Sequence, residues 1–214
     1  MSGTATLPSS AGTGEARGKR EQNKATNRQA ILAAAREVFS ELGYGATTVR
    51  DIIRRTGLAA GTFYNYYRSK EEVFEALLDD MAARVRPRLT EARERAGSFE
   101  AYVSDCFRVF FAFCCEDRHD FDMLRSNADH VRVRMDTRET EMIVAEIHAD
   151  LARAAEEGRL EGIDVDFLTA AMVGVGREMA EQLVLREAPD VEAAAAFATR
   201  FVLGGVAALT TAKG

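Results

Sequence analysis

The side chains best suited to recognising another molecule are concentrated between residues 48 and 70. Thr62, Tyr64 and Asn65 stand close together and carry hydroxyl and amide groups that can hydrogen bond to base edges. The basic residues around them can neutralise phosphates: Arg50, Arg54, Arg55, Arg68 and Lys70. Taken singly, each of these side chains would more often simply face water. Together they are typical of a nucleic-acid contact, in which basic groups position the protein and small polar groups specify sequence.

The charge of the chain divides at Lys70. The net charge of the 214 residues is -6, and that average argues against a nucleic-acid partner. Residues 1–70, however, hold 11 basic and 5 acidic side chains, a net of +6, whereas residues 71–214 hold 17 and 29, a net of -12. Charge fluctuates along any chain, but a basic head on an acidic body is expected when one small module contacts phosphate.

No pattern for catalysis, a metal or a cofactor accompanies this segment. The three histidines are not at metal-ligand spacing, and we find no nucleophile–base pairing or phosphate loop. We therefore expect no enzyme activity, no metal and no cofactor. Cys106, Cys114 and Cys115 lie in one apolar stretch, where cysteine is usually an inert small hydrophobe. A thiol-based redox sensor at Cys114 and Cys115 is the alternative.

Helical periodicity of apolar residues predicts the elements that hold the polar and basic cluster. Capping pairs are expected to begin a first helix at Thr26, a second at Thr48 and a fourth at Ser69. The predicted spans are 26–43, 48–57, 61–66 and 69–86, with glycine ending the first two. Pro87 is expected to kink the fourth helix or to begin a new segment. A tight turn between the second and third helices gives a helix-turn-helix arrangement.

The fold class we predict is all-α, because no stretch alternates with period two. Further helices are expected over 98–116, 117–127, 136–157, 164–187 and 191–211. Residues 1–23 are expected to form a disordered arm whose basic side chains could touch a DNA backbone. The predicted organisation is an arm (1–23), a helix-turn-helix domain (24–70) joined through helix 69–86, and a helical body (71–214).

An ordered set of short motifs runs from about residue 26 to residue 82. It comprises Gly43-Tyr44, Thr47-Thr48-Val49-Arg50-Asp51-Ile52, Thr56-Gly57-Leu58, Gly61-Thr62-Phe63-Tyr64-Asn65-Tyr66-Tyr67 and Ser69-Lys70-Glu71-Glu72-Val73-Phe74. At these residues the sequence resembles the TetR family of transcriptional regulators. The resemblance covers about a quarter of the chain. It implies an N-terminal DNA-binding domain followed by a variable helical domain for ligand binding and dimerisation.

The resemblance also implies which residues contact DNA. The contacts to phosphate or to the groove are implied at Thr48, Arg50, Thr62, Tyr64, Asn65 and Lys70, with Tyr66 and Tyr67 bordering the DNA backbone. Ala59 departs from the pattern, because a side chain that caps the third helix is usual at this position. We therefore expect the third helix to lack a side-chain cap, which costs about 1 kcal/mol.

Stripes of aromatic residues and methionine in the body indicate either plain core or a ligand pocket. Methionine adapts to variable ligands, and Gly174 and Gly176 each cost a helix about 1 kcal/mol, which favours cleared space. A small apolar ligand, for example an acyl chain, is expected to contact Phe107, Phe110, Phe111, Cys114, Met123, Asn127, Met142, Met172, Val175, Gly176 and Met179.

The last two predicted helices are apolar on more than one face, so each has a second surface to bury. A second copy of the chain is the expected partner, through Phe167, Ala171, Ala180, Leu183, Phe197, Phe201 and Gly205. Two-fold symmetry would place two recognition helices about 34 Å apart on a palindromic operator.

These expectations describe a transcriptional regulator that binds double-stranded DNA as a homodimer and is most simply a repressor released by its ligand. The alternatives are a helical protein-interaction module and the cysteine redox sensor. The N-terminus lacks the apolar region of a signal peptide, and uncharged runs fall short of the roughly 18 residues that a membrane span needs. We therefore expect a cytoplasmic protein without a membrane partner.

Overall fold

The computed structural model describes residues 11–116, 119–120, 123, 127 and 137–211. Within these ranges the chain forms eight helices and no strand, which confirms the all-α prediction. The helices are α1 (Ala11–Ala46), α2 (Val49–Thr56), α3 (Ala60–Tyr64), α4 (Lys70–Arg95), α5 (Phe99–Glu116), α6 (Arg138–Glu156), α7 (Val165–Val184) and α8 (Val191–Thr211). The short element predicted over 117–127 falls largely outside the described residues.

Helix α1 begins earlier than its capping pattern predicts. It is helical from Ala11, so the expectation of a disordered arm over residues 1–23 is wrong for residues 11–23. Thr26 is not a cap, because its hydroxyl donates to the carbonyl of Gln22 inside the helix at 3.0 Å. Glu, Arg, Lys and Gln are strong helix formers, and an established helix extends at little cost. The break predicted at Gly43 is confirmed, with φ of 73° there.

Helix α4 runs without interruption through Pro87 to Arg95. Of the two alternatives predicted at Pro87, a kink or a new segment, the new segment is therefore wrong. The apolar face of the helix continues on both sides of the proline through buried Val85, Leu89 and Ala92. Burial of this face outweighs the one backbone hydrogen bond that proline cannot make.

Two hydrophobic clusters form the core, and α5 contributes to both. The first joins the inner faces of α1 to α4, around Phe39, Phe63 and Phe74. The second lies among α5, α6, α7 and α8, around Phe107 and Phe111. Because α4 begins in the first cluster and packs along α5 and α6, it is the element that connects the basic head to the acidic body.

Helix α8 buries only a small part of its apolar surface. Over residues 191–210 it is long and apolar enough to cross a membrane by length and composition, with 28% of the window buried. The prediction that no run is long enough overlooked that a span tolerates isolated charges such as Glu192 and Arg200. One such helix is weak evidence for a membrane span, and a face that pairs with another helix has the same composition.

Candidate DNA-binding surface and ligand cavity

The N-terminus of α2 is fixed by the capping box that the sequence predicts. The Thr48 hydroxyl accepts the Asp51 backbone N–H at 3.3 Å, and the Asp51 carboxylate accepts the Thr48 N–H at 3.0 Å. The hydrogen bond from the Thr48 hydroxyl lowers the pKa of Asp51, so the carboxylate stays ionised at the positive end of the helix. This cap presents Thr48 and Arg50 to solvent.

Helix α3 is held by one face and exposes the other. Phe63 is fully buried, and Tyr67 packs beside it with ring centroids 6.2 Å apart. On the opposite side Tyr64 is 55% exposed, and Asn65 is exposed next to it. The expected absence of a side-chain cap at Ala59 is confirmed. Hydrogen-bonding groups of α3 therefore face solvent on a rigid support.

The structure changes the roles of three residues that the sequence analysis placed among the DNA contacts or the basic groups around them. Tyr67 is only 8% exposed and belongs to the core of the head. The Lys70 ammonium donates to the carbonyls of Tyr44 at 2.7 Å and Thr47 at 2.9 Å, so it closes the corner between α1 and α2 instead of facing outward. Arg55 is bound to Glu37 and Glu41 of α1, at 2.8 and 2.6 Å.

The side chains left at the surface form a smaller set, which we call the recognition face. It consists of residues that are exposed or half-buried around α2 and α3: Thr48, Arg50, Arg54, Thr62, Tyr64, Asn65, Tyr66 and Arg68. Arg54 lies 4.0 Å from Asp51, an exposed pair that does little to hold it. The face has the composition expected of a surface that docks into a major groove, with cations around short polar groups.

Asn127 was predicted to contact the ligand, and the structure places it elsewhere. It is buried between head and body, where its amide nitrogen donates to the carbonyls of Phe39 at 3.2 Å and Met123 at 2.6 Å. Its side-chain oxygen accepts the backbone N–H of Tyr44. Asn127 therefore fastens the end of α1 to the body. Sequence offers no signal for the contacts with α1, because Phe39 and Tyr44 lie more than 80 positions away.

A second link between head and body consists of charged side chains. Asp120 is 4% exposed and pairs with Arg36 of α1 and Arg84 of α4. Asp80 lies 3.6 Å from each of these arginines. A buried carboxylate of this kind is stable only with its cations in place, so the network holds α1 against α4.

A largely apolar cavity of about 270 Å³ lies in the body between α4, α5, α6 and α7. Five of the predicted ligand residues line it: Phe107, Phe110, Cys114, Met172 and Gly176. A Cβ on Gly176 would lie 3.5 Å from the Phe107 ring, whereas one on Gly174 would meet nothing within 4 Å. Only Gly176 therefore borders the space, and the sequence prediction for Gly174 is wrong.

Six predicted ligand residues do not line the cavity. Asn127 and Met123 belong to the junction and to the first cluster, and Phe111 is fully buried in the second. The Met142 sulfur lies 3.6 Å from the Arg86 guanidinium. Val175 and Met179 pack against the second cluster from other faces of α7.

The ligand residues predicted from the sequence include none of the wall that α4 contributes and only Met142 from α6. The lining residues of these two helices are chiefly Leu78, Met81, Val85, Leu89, Ile143 and Ile147. Their periodicity was visible as an apolar face. What the sequence does not contain is the gap between packed faces, because a lining residue and a core residue have the same spacing.

The cysteines of α5 are half-buried, in surroundings that disfavour the reactive thiolate. Cys106 and Cys114 line the cavity, and burial raises the pKa of each to about 12. A reactive thiol needs a pKa that is lowered. The redox-sensor alternative therefore loses its physical basis at Cys114, and burial also raises the pKa of Cys115.

The predicted dimer residues divide between an exposed face and the core. Phe167 is 76% exposed and Phe201 62%, and the other members of the exposed face are Ala171, Phe197 and Gly205. Ala180 and Leu183 were assigned to the wrong face, because they are buried within the protomer's own second cluster. Large exposed aromatics on neighbouring helices are rare on a surface that stays in water.

Comparison with known proteins agrees with the head and with the whole fold. A family described as "Bacterial regulatory proteins, tetR family" matches residues 31–77. The HTH-type transcriptional repressor KstR2 of Rhodococcus jostii (strain RHA1) is 31% identical over 93 residues, which are 42% of this chain and 46% of KstR2. The match thus spans about half the length of that relative.

Solved structures extend the similarity to the helical body. The fatty acid degradation regulator FadR of Bacillus halodurans superposes with a TM-score of 0.69 at 20% identity, over 83% of this chain and 95% of FadR. FadR of Bacillus subtilis, solved in complex with stearoyl-CoA, gives 0.68 at 19% identity, over 83% and 98%. At such identities the similarity shows the fold.

The helix-turn-helix head has the arrangement found in DNA-binding transcription regulators. Over residues 31–77 the head is similar to the DNA-binding domain of the TetR family of bacterial transcriptional regulators.

Proposed function

We propose that the protein is a homodimeric repressor that binds a palindromic operator and is released by a small, largely apolar effector. The observation that carries this proposal is the position of the cavity against α4. Val73, Phe74 and Leu77 of this helix belong to the core of the head, and Leu78, Met81 and Val85 line the cavity. One rigid element therefore touches both the DNA-binding unit and the effector space.

The recognition face is proposed to bind DNA, with Arg50, Arg54 and Arg68 on phosphates and Tyr64 and Asn65 toward base edges. Thr48 at the start of α2 adds a phosphate contact, since exposed N–H groups at a helix N-terminus favour anions. The domain limits that fit this division are 24–70 for the head and 71–214 for the body. A bacterial protein that acts on DNA works in the cytoplasm.

The exposed face of α7 and α8 is proposed to pair with the same face of a second copy. Phe197 and Phe201 stack with their centroids 6.3 Å apart on α8, and Phe167 lies on the neighbouring α7. A two-fold axis through this face would bury the aromatics and double the recognition face. A palindromic operator then follows from protein symmetry.

The effector is proposed to be an acyl chain or a molecule of similar shape. The walls are aliphatic, aromatic and methionine side chains, which suit a flexible apolar chain. FadR of Bacillus subtilis, which shares this fold, was solved with stearoyl-CoA. An effector releases DNA only if it prefers the protein conformation that does not fit the operator.

The test is footprinting on the DNA next to the protein's own gene, with and without stearoyl-CoA or decanoate. A protected, two-fold symmetric site that is lost on adding either compound supports the proposal. Gly176→Leu, which places a side chain toward Phe107, should keep the footprint and abolish the response. Met142→Leu, a change in the body outside the cavity, should keep both. No protected site, or a response unaffected by Gly176→Leu, refutes the proposal.

A further inference from the structure

A polar crevice of about 290 Å³ lies where α4 ends and α5 begins, outside the apolar cavity. The end of α6 and the turn after it close its far side. The polar side chains that line it are Arg93, Ser98, Tyr102, Asp150, Arg153 and Arg159. Nothing in the proposed DNA-binding or dimerisation role uses these residues.

Two donors in this crevice are buried without an acceptor, and they lie beside one buried oxygen, Asp150 Oδ2, that pairs with Arg93 Nε as an ion but makes no hydrogen bond. Tyr102 is 7% exposed, and its hydroxyl makes no hydrogen bond. The Arg93 side chain is 13% exposed and pairs through Nε with Asp150 at 3.2 Å and through Nη2 with Glu146 at 2.7 Å. Its Nη1 has no partner. Buried donors are almost always paired in native proteins, so this pair indicates an acceptor that occupies the crevice.

The electrostatics of the crevice favour a negatively charged acceptor. Its lining carries three arginines and one carboxylate, Asp150, which is shared between Arg93 and Arg153. Arg159 pairs with Glu157 at the rim. The N-terminus of α5 also opens here, with Ser98 accepting the Ala101 N–H at 3.1 Å. The unpaired N–H groups of a helix N-terminus add positive potential.

We infer that this crevice binds an oxyanion, a carboxylate or a phosphate, through the Tyr102 hydroxyl, Arg93 Nη1 and Arg159. Tyr102 is one residue that lines both this crevice and the apolar cavity. The oxyanion is therefore the charged end of an amphipathic effector whose apolar part lies in the cavity. This step rests on the proposed function, because it assigns a charged end to the effector proposed there.

The test compares probes that differ only in the charged group. Decanoate, decanol and inorganic phosphate are titrated into the full-length protein by calorimetry without DNA, using wild type, Tyr102→Phe, Arg159→Gln and Arg95→Gln. Tyr102→Phe removes only a hydroxyl that has no partner, so the fold should persist, which a thermal melt checks. Arg95→Gln is the matched control, since Arg95 is 66% exposed near the end of α4 and does not line the crevice.

Decanoate is expected to bind at least tenfold more tightly than decanol, because a hydrogen bond to a charged group contributes on that order. Tyr102→Phe should remove most of this preference, Arg159→Gln should reduce it, and Arg95→Gln should leave it unchanged. A different result is phosphate binding that depends on Tyr102 without a preference for decanoate over decanol. It would support the oxyanion site but overturn the link between that site and the cavity.

The inference is overturned if neither phosphate nor decanoate shows binding that depends on Tyr102. That result would assign the two donors to water. Footprinting of the same preparations separates this outcome from a failure of the proposed function. Loss of DNA binding with intact oxyanion binding would refute the regulator and leave the crevice, and the reverse would refute only the crevice.

Discussion

Replacing Asn127 with alanine is the most direct test of the junction between head and body. The substitution removes the acceptor of the Tyr44 N–H and the donor to the Phe39 and Met123 carbonyls. A buried donor left without a partner costs about 1–3 kcal/mol, and each lost neutral hydrogen bond about 0.5–1.5 kcal/mol. The carbonyls belong to helices and keep part of their bonding, so we expect about 3 kcal/mol of destabilisation.

This loss should appear as a lower melting temperature in calorimetry. One kcal/mol corresponds to roughly 2–4 °C for a protein of about this size, so the expected shift is about 10 °C. Asn65→Ala is the matched control, because it makes the same chemical change at an exposed position and should shift the melting temperature by no more than about 2 °C. Equal shifts for the two variants, or weaker decanoate binding with an unchanged melting temperature in Asn127→Ala, would refute our placement of Asn127 at the junction.

Four further predictions follow from single side chains. Arg50→Ala should weaken operator binding and reduce the slope of log affinity against log salt by about 0.9, as expected for one lost phosphate contact; an unchanged slope in anisotropy titrations would contradict it. Phe201→Glu should give a monomer in sedimentation, because it places charge in the proposed dimer face, whereas a persistent dimer would require another interface. Burial raises the pKa of Cys114 to about 12, so iodoacetamide should alkylate it about a thousandfold more slowly near pH 8 than a free thiol. The alkylation rate, followed by mass spectrometry, should rise with pH. Fast labelling of the native protein would contradict the burial of Cys114. Gly176→Ala should raise the free energy of unfolding by about 0.5–1 kcal/mol in urea, since the new Cβ meets Phe107 at an ordinary 3.5 Å, and destabilisation would show that the cavity wall cannot accept a methyl group.

Local signals in the sequence predicted the elements of the head well. The Thr48–Asp51 capping box, the positive φ of Gly43 and that of Gly57 all depend on residues within one turn of each other. The capping box predicted at Ser69 and Glu72 is confirmed only in its first half. Ser69 accepts the Glu72 N–H at 3.3 Å, but the Glu72 carboxylate takes the N–H of Arg68 at 2.8 Å.

The sequence could not predict the direction of long side chains, or which face of a helix that is apolar on several sides turns toward the core. Lys70 has the position of a phosphate contact, but three nearby carbonyls attract its ammonium. Helix α7 is apolar on several faces, so periodicity alone could not tell that Leu183 faces inward and Phe167 outward. Both outcomes depend on which neighbours arrive from distant parts of the chain, and such packing is absent from a pattern of spacing.

The two links between head and body bear on how an effector could act. Asn127 joins α1 to the body at a point separate from α4, and the Asp120 network ties α1 to α4 itself. A tilt of α4 that moved the head would therefore have to strain or rearrange these contacts. Shifting a two-state equilibrium from 1:99 to 99:1 already requires an effector that prefers one state by about 10⁴-fold, and contacts that hold the DNA-binding state add to that requirement. A chain that fills the cavity and an oxyanion that satisfies two buried donors together supply more differential affinity than either part alone. An amphipathic effector is thus better matched to this junction than a purely apolar one.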